Sequence, residues 1–290
     1  MRNLLKWVIS GVLYVALVIG GYSIYALYAD NESAGHHNDH VVNEEEEHRE
    51  HEEDHEEEHE EHGDDHGEHG DHEHAQGESE VIPSIEREGN ELTITLKDLN
   101  GNLFDDLKVT HEKLMHLIIV NEDLETFIHL HPEKVSEGVY QANYELEEGM
   151  YKVYVDIKPN EKAYEIQPIS LMVGDHHHHG DHATLEKETN WVKVIDDYEV
   201  ELDVSSFSMK DHIVLSFNIN GGEPEPYLGA LGHVVIIDEK MEEFIHVHPS
   251  STELPMFEAH FSKPGMYKLW AEFKLDGTVY AFPFVLEITE

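Results

Sequence analysis

Short apolar or alternating runs, separated by turn residues, fill the chain after residue 80. They fall at residues 92–96, 117–120, 127–130, 139–144, 151–157 and 166–173, and again at 191–195, 200–204, 213–219, 234–237, 244–247, 256–261, 267–273 and 279–288. Such runs predict β-strands, and no segment has the period of an amphipathic helix. About seven short strands in roughly 95 residues are typical of a small β-sandwich. The pattern therefore predicts an all-β protein with two tandem immunoglobulin-like β-sandwich domains, residues 81–174 and 185–290.

The start of the chain follows a different pattern. Residues 7–29 carry no charge, and about 23 residues in a helix are long enough to cross a hydrocarbon layer of roughly 30 Å. Arg2 and Lys6 precede this run and acidic residues follow it, so the positive-inside rule places the later domains outside the cytoplasm. Residues 1–30 are predicted to be a single-pass transmembrane anchor in the cell membrane, and a cleaved signal peptide is the alternative.

Two segments are too polar to form a core. Residues 31–80 consist largely of Glu, Asp and His and are predicted to be a disordered linker, and residues 175–184 form a second, histidine-rich linker between the domains. Imidazoles three or four residues apart align on one helix face and can chelate a divalent ion. The alternative is a solvated spacer. The candidate low-affinity metal ligands are His48, His51, His55, His59, His62, His66, His69, His176, His177, His178, His179 and His182.

Composition limits the possible partners. The chain has 63 acidic and 18 basic residues, a formal charge of -45, and no cysteine. This charge excludes nucleic acid as a natural partner and favours cations. Without thiolates, a metal must be held by imidazole and carboxylate groups, which suit Zn2+ or Cu2+.

One motif carrying three histidines occurs twice. Residues 116–132 recur as residues 233–249, and both copies keep a histidine, a gap of twelve residues and a His-x-His-Pro end. If the two strands of each copy form an antiparallel hairpin in even register, all three imidazoles lie on one face, with the first opposite either the second or the third. Each sandwich is thus predicted to hold one metal triad, unless the motif merely ends a strand. The candidate ligands are His116, His129, His131, His233, His246 and His248.

Further positions differ between the copies or lie near them. His260 aligns with Asn143, so the second triad is expected to gain a fourth imidazole and to be the more closed site. Asp156 aligns with Glu272. These two acids are expected to be solvated strand residues. The alternatives are that they are distant metal ligands or that they accept hydrogen bonds that orient an imidazole.

The repeated strands carry a resemblance. The chain resembles exported bacterial proteins with tandem immunoglobulin-like domains that are linked with copper or other heavy-metal handling. The resemblance is carried by Met115, His116 and Leu117, by the Phe127–Pro132 segment and by its counterpart at residues 244–249. The resemblance implies an exported β-sandwich and a connection with metal, but no reaction. The acidic histidine tract, residues 31–80, is similar to loops of zinc transporters and zinc-binding lipoproteins.

These observations together predict a membrane-anchored extracytoplasmic protein that captures, buffers or delivers zinc or copper(II), with a metal transporter as a candidate partner. The sequence contains no nucleophile elbow and no phosphate-binding glycine loop, so no enzyme activity is expected. The first alternative is an adhesion or interaction module. A metal-dependent enzyme that uses a three-histidine site is the second.

Overall fold

The computed structural model describes residues 79–174 and 184–290, apart from the side chain of His248. The predicted membrane anchor, the acidic histidine tract and the interdomain histidines lie outside these residues. All regular secondary structure in the described ranges is β-strand, which confirms the all-β prediction for them. Within the same ranges, there is no helix with the length and apolar character needed to cross a membrane.

The first domain consists of two four-stranded sheets and a short strand pair. The sheet orders are β1-β2-β7-β6 and β10-β8-β4-β5, and β3 pairs with β9. Leu92, Ile94, Leu117, Ile119 and Val153 are fully buried in its core. The strands are β1 (Val81–Glu88), β2 (Glu91–Asp98), β3 (Leu107–Lys108), β4 (His116–Asn121), β5 (Phe127–Leu130), β6 (Glu133–Ser136), β7 (Val139–Asn143), β8 (Gly149–Asp156), β9 (Lys158–Pro159) and β10 (Ile169–Val173).

The strands of the second domain form one continuous eight-stranded sheet. Its strands are hydrogen-bonded in the order β11-β12-β13-β16-β15-β14-β17-β18, and its core includes Leu215, Val234, Phe257, Phe273 and Phe284. The strands are β11 (Val192–Ile195), β12 (Tyr198–Val204), β13 (Ile213–Asn220), β14 (His233–Asp238), β15 (Phe244–Pro249), β16 (Met256–Ala259), β17 (Gly265–Leu275) and β18 (Thr278–Ile288). Each of the fourteen predicted runs coincides with one of these strands or with one in the first domain, whereas β1, β3, β6 and β9 were not predicted.

The hairpin strands β4 and β14 are buried on both faces. Leu117 and Ile119 point into the core of the first domain, whereas Ile118 and Val120 belong to a separate apolar cluster. That cluster also contains Val235 and other residues of the second domain. Since alternate residues of a strand point to opposite faces, the two hairpin sheets pack against each other through the faces that turn away from their own cores.

The packing between the domains is reciprocal. Phe127 of the first domain stacks on Trp270 of the second with ring centroids 4.8 Å apart, and Phe244 of the second stacks on Tyr154 of the first at 5.0 Å. The Tyr154 hydroxyl also donates a hydrogen bond to the Met241 carbonyl across the boundary, at 2.9 Å. The same patch of each copy therefore contacts the other, as in an isologous dimer interface.

Candidate metal centre

Six described imidazole rings meet at one end of this interface. Three come from the motif of the first domain, two from the motif of the second, and the sixth is His111, which precedes β4. Ring centroids of contacting pairs are separated by 4.6 Å for His129 and His131, and by 6.5 Å for His116 and His233. The sequence predicted two separate sites, but the structure brings both motifs into a single cluster that spans the domain boundary.

The hairpin register places the motif histidines on the interface face. In the first domain Ile118 pairs with His129, so the register continues to His116 opposite His131, which is the second of the two expected arrangements. In the second domain Val235 pairs with His246, and the same register sets His233 opposite His248. The side chain of His248 lies outside the described part of the structure.

The first histidine of each motif is oriented by a backbone carbonyl. His116 Nε2 lies 3.0 Å from the Thr110 oxygen, and His233 Nε2 lies 2.9 Å from the Tyr227 oxygen. A carbonyl oxygen can only accept, so each Nε2 donates its proton. In a neutral imidazole, the Nδ1 atom of each ring therefore carries the lone pair.

The second histidine of each motif is oriented by a carboxylate of the other domain. His129 Nδ1 lies 2.5 Å from Glu272 Oε2, and His246 Nδ1 lies 2.5 Å from Asp156 Oδ2. Asp156 is 8% exposed and Glu272 is 6% exposed, so the expectation that these acids are solvated is wrong. Each acid pairs with the first histidine of its own domain on the neighbouring strand, Asp156 with His116 and Glu272 with His233.

Burial keeps several of these groups neutral. Desolvation lowers the pKa of His116 to about 4 and the pKa values of His129, His131 and His233 to about 3. Desolvation raises the pKa of the Glu272 carboxyl to about 8. At neutral pH the four imidazoles are uncharged and therefore able to act as ligands.

His116 Nδ1 and His129 Nε2 face each other at 3.0 Å. If Glu272 is ionised, His129 donates its Nδ1 proton to it, and the two facing nitrogens each present a lone pair with nothing between them. A protonated Glu272 resolves the conflict, because it donates to His129 Nδ1 and allows His129 Nε2 to donate to His116. The buried chain of Glu272, His129 and His116 therefore requires one extra proton or a cation in its place.

The surroundings of this pair fit a metal ion. The ligand atoms of His116, His129 and His131 all lie within 4.8 Å of one another, and two nitrogen ligands of a tetrahedral zinc are about 3.3 Å apart. His131 Nε2 is buried and has no hydrogen-bond partner among the described residues. Metal-bound histidines usually donate their other N–H to a carboxylate or carbonyl, as His116 and His129 do here. A bound zinc or copper(II) ion would supply a Lewis acid to this cluster.

His111 is a member of the cluster that the sequence did not indicate. Its ring centroid lies 5.1 Å from that of His233 and 4.9 Å from that of His246. It occupies a two-residue turn in which Thr110 and Lys113 bond each other and His111 has a φ of 48°. The second domain repeats the turn at residues 227–230, but the equivalent residue is Leu228, with a φ of 50°. The motif repeat therefore gave no sign of this histidine.

His260 was predicted to be a fourth ligand beside His233 and His246. The structure instead groups it with His212 and Glu258. Ile213 pairs with Ala259 across β13 and β16, so the register continues to His212 opposite His260, and their ring centroids are 5.6 Å apart. His212 Nε2 lies 3.1 Å from Glu258 Oε2, and the two side chains are 56% and 41% exposed. This second group of possible ligands lies on the surface of the second domain.

Several solved structures are similar to parts of the chain. The biofilm-associated protein BSP domain is 12% identical, with 72% of this chain and 30% of that chain covered and a TM-score of 0.23. Native E. coli alpha-2-macroglobulin is 12% identical (74% and 14% covered, TM-score 0.22), and Salmonella alpha-2-macroglobulin reacted with methylamine is 13% identical (73% and 14% covered, TM-score 0.22). The chain thus spans less than a third of each of these proteins.

No curated protein matches the chain. One family model matches it twice, over residues 79–173 and 193–290. Each match covers one of the two β-domains that together build the histidine cluster. The chain therefore belongs to the family described as Domain of unknown function (DUF8832) and contains two copies of that domain.

Proposed function

We propose that the protein binds a divalent transition metal, zinc or copper(II), in the histidine cluster between its two domains. The observation that carries this proposal is the 3.0 Å approach of His116 Nδ1 and His129 Nε2, whose other nitrogens are already held by the Thr110 carbonyl and the Glu272 carboxyl group. A cation between the facing nitrogens would use both lone pairs at once. His131 supports the proposal because its buried Nε2 atom has no hydrogen-bond partner within the described part of the chain.

The proposal extends to the role of the whole chain. With residues 1–30 as a membrane anchor, the domains would face the outside of the cell and would capture, buffer or deliver the metal there, with a metal transporter as a candidate partner. The histidine-rich segments would act as a weak reservoir near the cluster, because isolated imidazole pairs bind cations less tightly than a preorganised buried set. Carbonyl and carboxylate acceptors hold the cluster histidines in place before any ion arrives.

The test is a chelator-competition titration of the full chain with Zn2+ and, separately, Cu2+. The His131→Ala variant removes one ligand while leaving both orienting acceptors in place, and we expect its loss of affinity to exceed the roughly 10- to 100-fold typical of lost outer-shell partners. His212→Ala is the matched control, since His212 is exposed and belongs to the other group. Equal affinity in wild type and His131→Ala, with intact circular dichroism, would refute ordered binding in the cluster.

An adhesion or interaction module is the second candidate function. Tandem all-β domains are used by many such modules, and the paired domains here have this architecture. A fold of this kind accommodates many functions, so the site must decide between the candidates. If the titration finds no tight ion in the cluster, the buried histidines would only hold the two domains together, and the interaction module would be the better account.

A further inference from the structure

The second half of the cluster repeats the ligand geometry of the first. His233 and His246 are oriented by the Tyr227 carbonyl and by Asp156, as their counterparts are by Thr110 and Glu272. A neutral His233 therefore carries its lone pair on Nδ1. When Asp156 accepts the Nδ1 proton of His246, the lone pair of that ring lies on Nε2. The lone pairs of these two rings thus lie on the same atoms as in His116 and His129.

A third ring completes this second set. His111 belongs to the first domain, yet its ring lies 5.1 Å from His233 and 4.9 Å from His246, and 5.8 Å from His116. The centroids of the first set, His116 with His129 and His131, are separated by 5.3 and 4.9 Å. His111 therefore stands as close to the two histidines of the second domain as the members of the first set stand to one another.

We propose that the cluster holds two divalent transition-metal ions, one on His116, His129 and His131 and the other on His111, His233 and His246. This inference rests on the proposed function and adds a second cation position with a ligand set drawn from both domains. Each position has its own buried carboxylate behind one imidazole, Glu272 in the first and Asp156 in the second. Two carboxylates offset part of the charge that two divalent ions bring into a buried place.

The second position draws one ligand, His111, from the turn before β4 of the other domain. In the reciprocal turn the equivalent residue is Leu228, which has no ligand atom. The turn of the second domain already accommodates leucine at the equivalent position, with nearly the same φ. The His111→Leu variant is therefore expected to fold.

The experiment measures the zinc retained by the full chain after dialysis against a competing chelator, for wild type, His111→Leu and His131→Ala. A variant with both substitutions gives the contribution of the histidine-rich segments, which is subtracted. We expect two equivalents for wild type, one for each single variant and no tight equivalent for the double variant. His212→Leu, on the surface of the second domain, is the matched control and is expected to retain two.

The outcomes separate this inference from the proposed function. One retained equivalent in wild type, or two in a folded His111→Leu variant, would overturn the second position and leave the proposed function standing. No excess of wild type over the double variant would overturn both. His111→Gln provides a second test if the leucine variant loses its native circular dichroism. Electron paramagnetic resonance of the Cu2+-loaded chain gives an independent readout, because a pair of neighbouring ions produces a spin-coupled signal that His111→Leu should abolish.

Discussion

Acidification should disrupt the domain interface of the metal-free protein at a pH well above the pKa values of its buried histidines. His116, His129, His131 and His233 have pKa values of about 3 to 4 in the folded chain, against 6.5 when unfolded. Below pH 6.5 the unfolded chain therefore binds protons that the folded chain does not, and stability falls with pH. Glu272 acts in the opposite sense, since its folded pKa is about 8 against 4.5 unfolded, and its contribution is lost as the pH rises through 8.

The size of the effect follows from the number of groups. Each fully shifted group changes the free energy of unfolding by about 1.4 kcal/mol per pH unit. Four histidines opposed by one carboxyl therefore remove about 4 kcal/mol per unit between pH 6.5 and 4.5. Stabilities of about 5–15 kcal/mol are usual for native proteins, so the metal-free protein should be most stable near about pH 7 and lose its native interface between roughly pH 4 and 5.5.

The assay is acid titration in the presence of a chelator, followed by fluorescence in a Trp7→Phe, Trp191→Phe background in which Trp270 is the single remaining tryptophan. Trp270 is 3% exposed and stacks on Phe127 across the domain boundary, so its emission reports directly on the interface. His131→Gln should reduce the slope of stability against pH by about a third, whereas His212→Gln should leave it unchanged. A native emission spectrum retained down to pH 3.5, or a slope unaffected by His131→Gln, would refute the reasoning.

Three further changes test the cluster and its supports. Glu272→Gln should weaken Zn2+ binding about 10- to 100-fold, because the amide no longer offers a charged acceptor to the imidazole of His129. Glu201→Gln, at an exposed strand position, should leave the affinity unchanged. Equal Zn2+ affinities of wild type and Glu272→Gln in a titration would contradict the orienting role of Glu272. Gly232→Ala should lower the free energy of unfolding by about 1–3 kcal/mol, since the added Cβ would lie 2.6 Å from two ring carbons of the buried Phe273. Gly149→Ala should be nearly neutral in the same urea titration, because the nearest atom to its Cβ would be 3.7 Å away. Trp270→Ala should cost about 3–5 kcal/mol by circular dichroism in urea, and a loss below 1 kcal/mol would mean that the domains do not depend on this interface.

Most strands could be predicted because their patterns match their surroundings. β12 alternates buried and exposed residues from Tyr198 onwards, as expected of a strand with one face on the core. β1 was missed because, of its eight residues, only Val81 is fully buried and Pro83 interrupts the pattern. The strands β3 and β9 have two residues each, which is too short to show any period.

The candidate site could be predicted only within each hairpin. Residues two apart in a strand share a face, so the convergence of His129 and His131 followed from spacing alone. The contact between His129 and Glu272 joins residues 143 positions apart, and no local pattern specifies it. One signal did exist. The run from Leu117 to Val120 has no polar alternation, which indicates burial on both faces and hence a second surface against the hairpin.

His260 shows the converse error. Its position after β16 aligns with Asn143 in the first domain, but alignment does not reveal that β16 pairs with β13 and turns the side chain towards His212. His111 escaped detection for a different reason. A repeat identifies only what both copies retain, and a ligand present in one copy alone leaves no trace in the comparison.

The exchange of carboxylates between the domains makes the two copies depend on each other. Asp156 serves His246 and Glu272 serves His129, so neither domain by itself contains both an imidazole and the acid that orients it. A protein with a single copy of the domain could complete the same arrangement only by pairing with a second molecule. The tandem chain thus has the form of a symmetric dimer within one molecule, in which each copy can carry its own residue at an equivalent position, as His111 and Leu228 do.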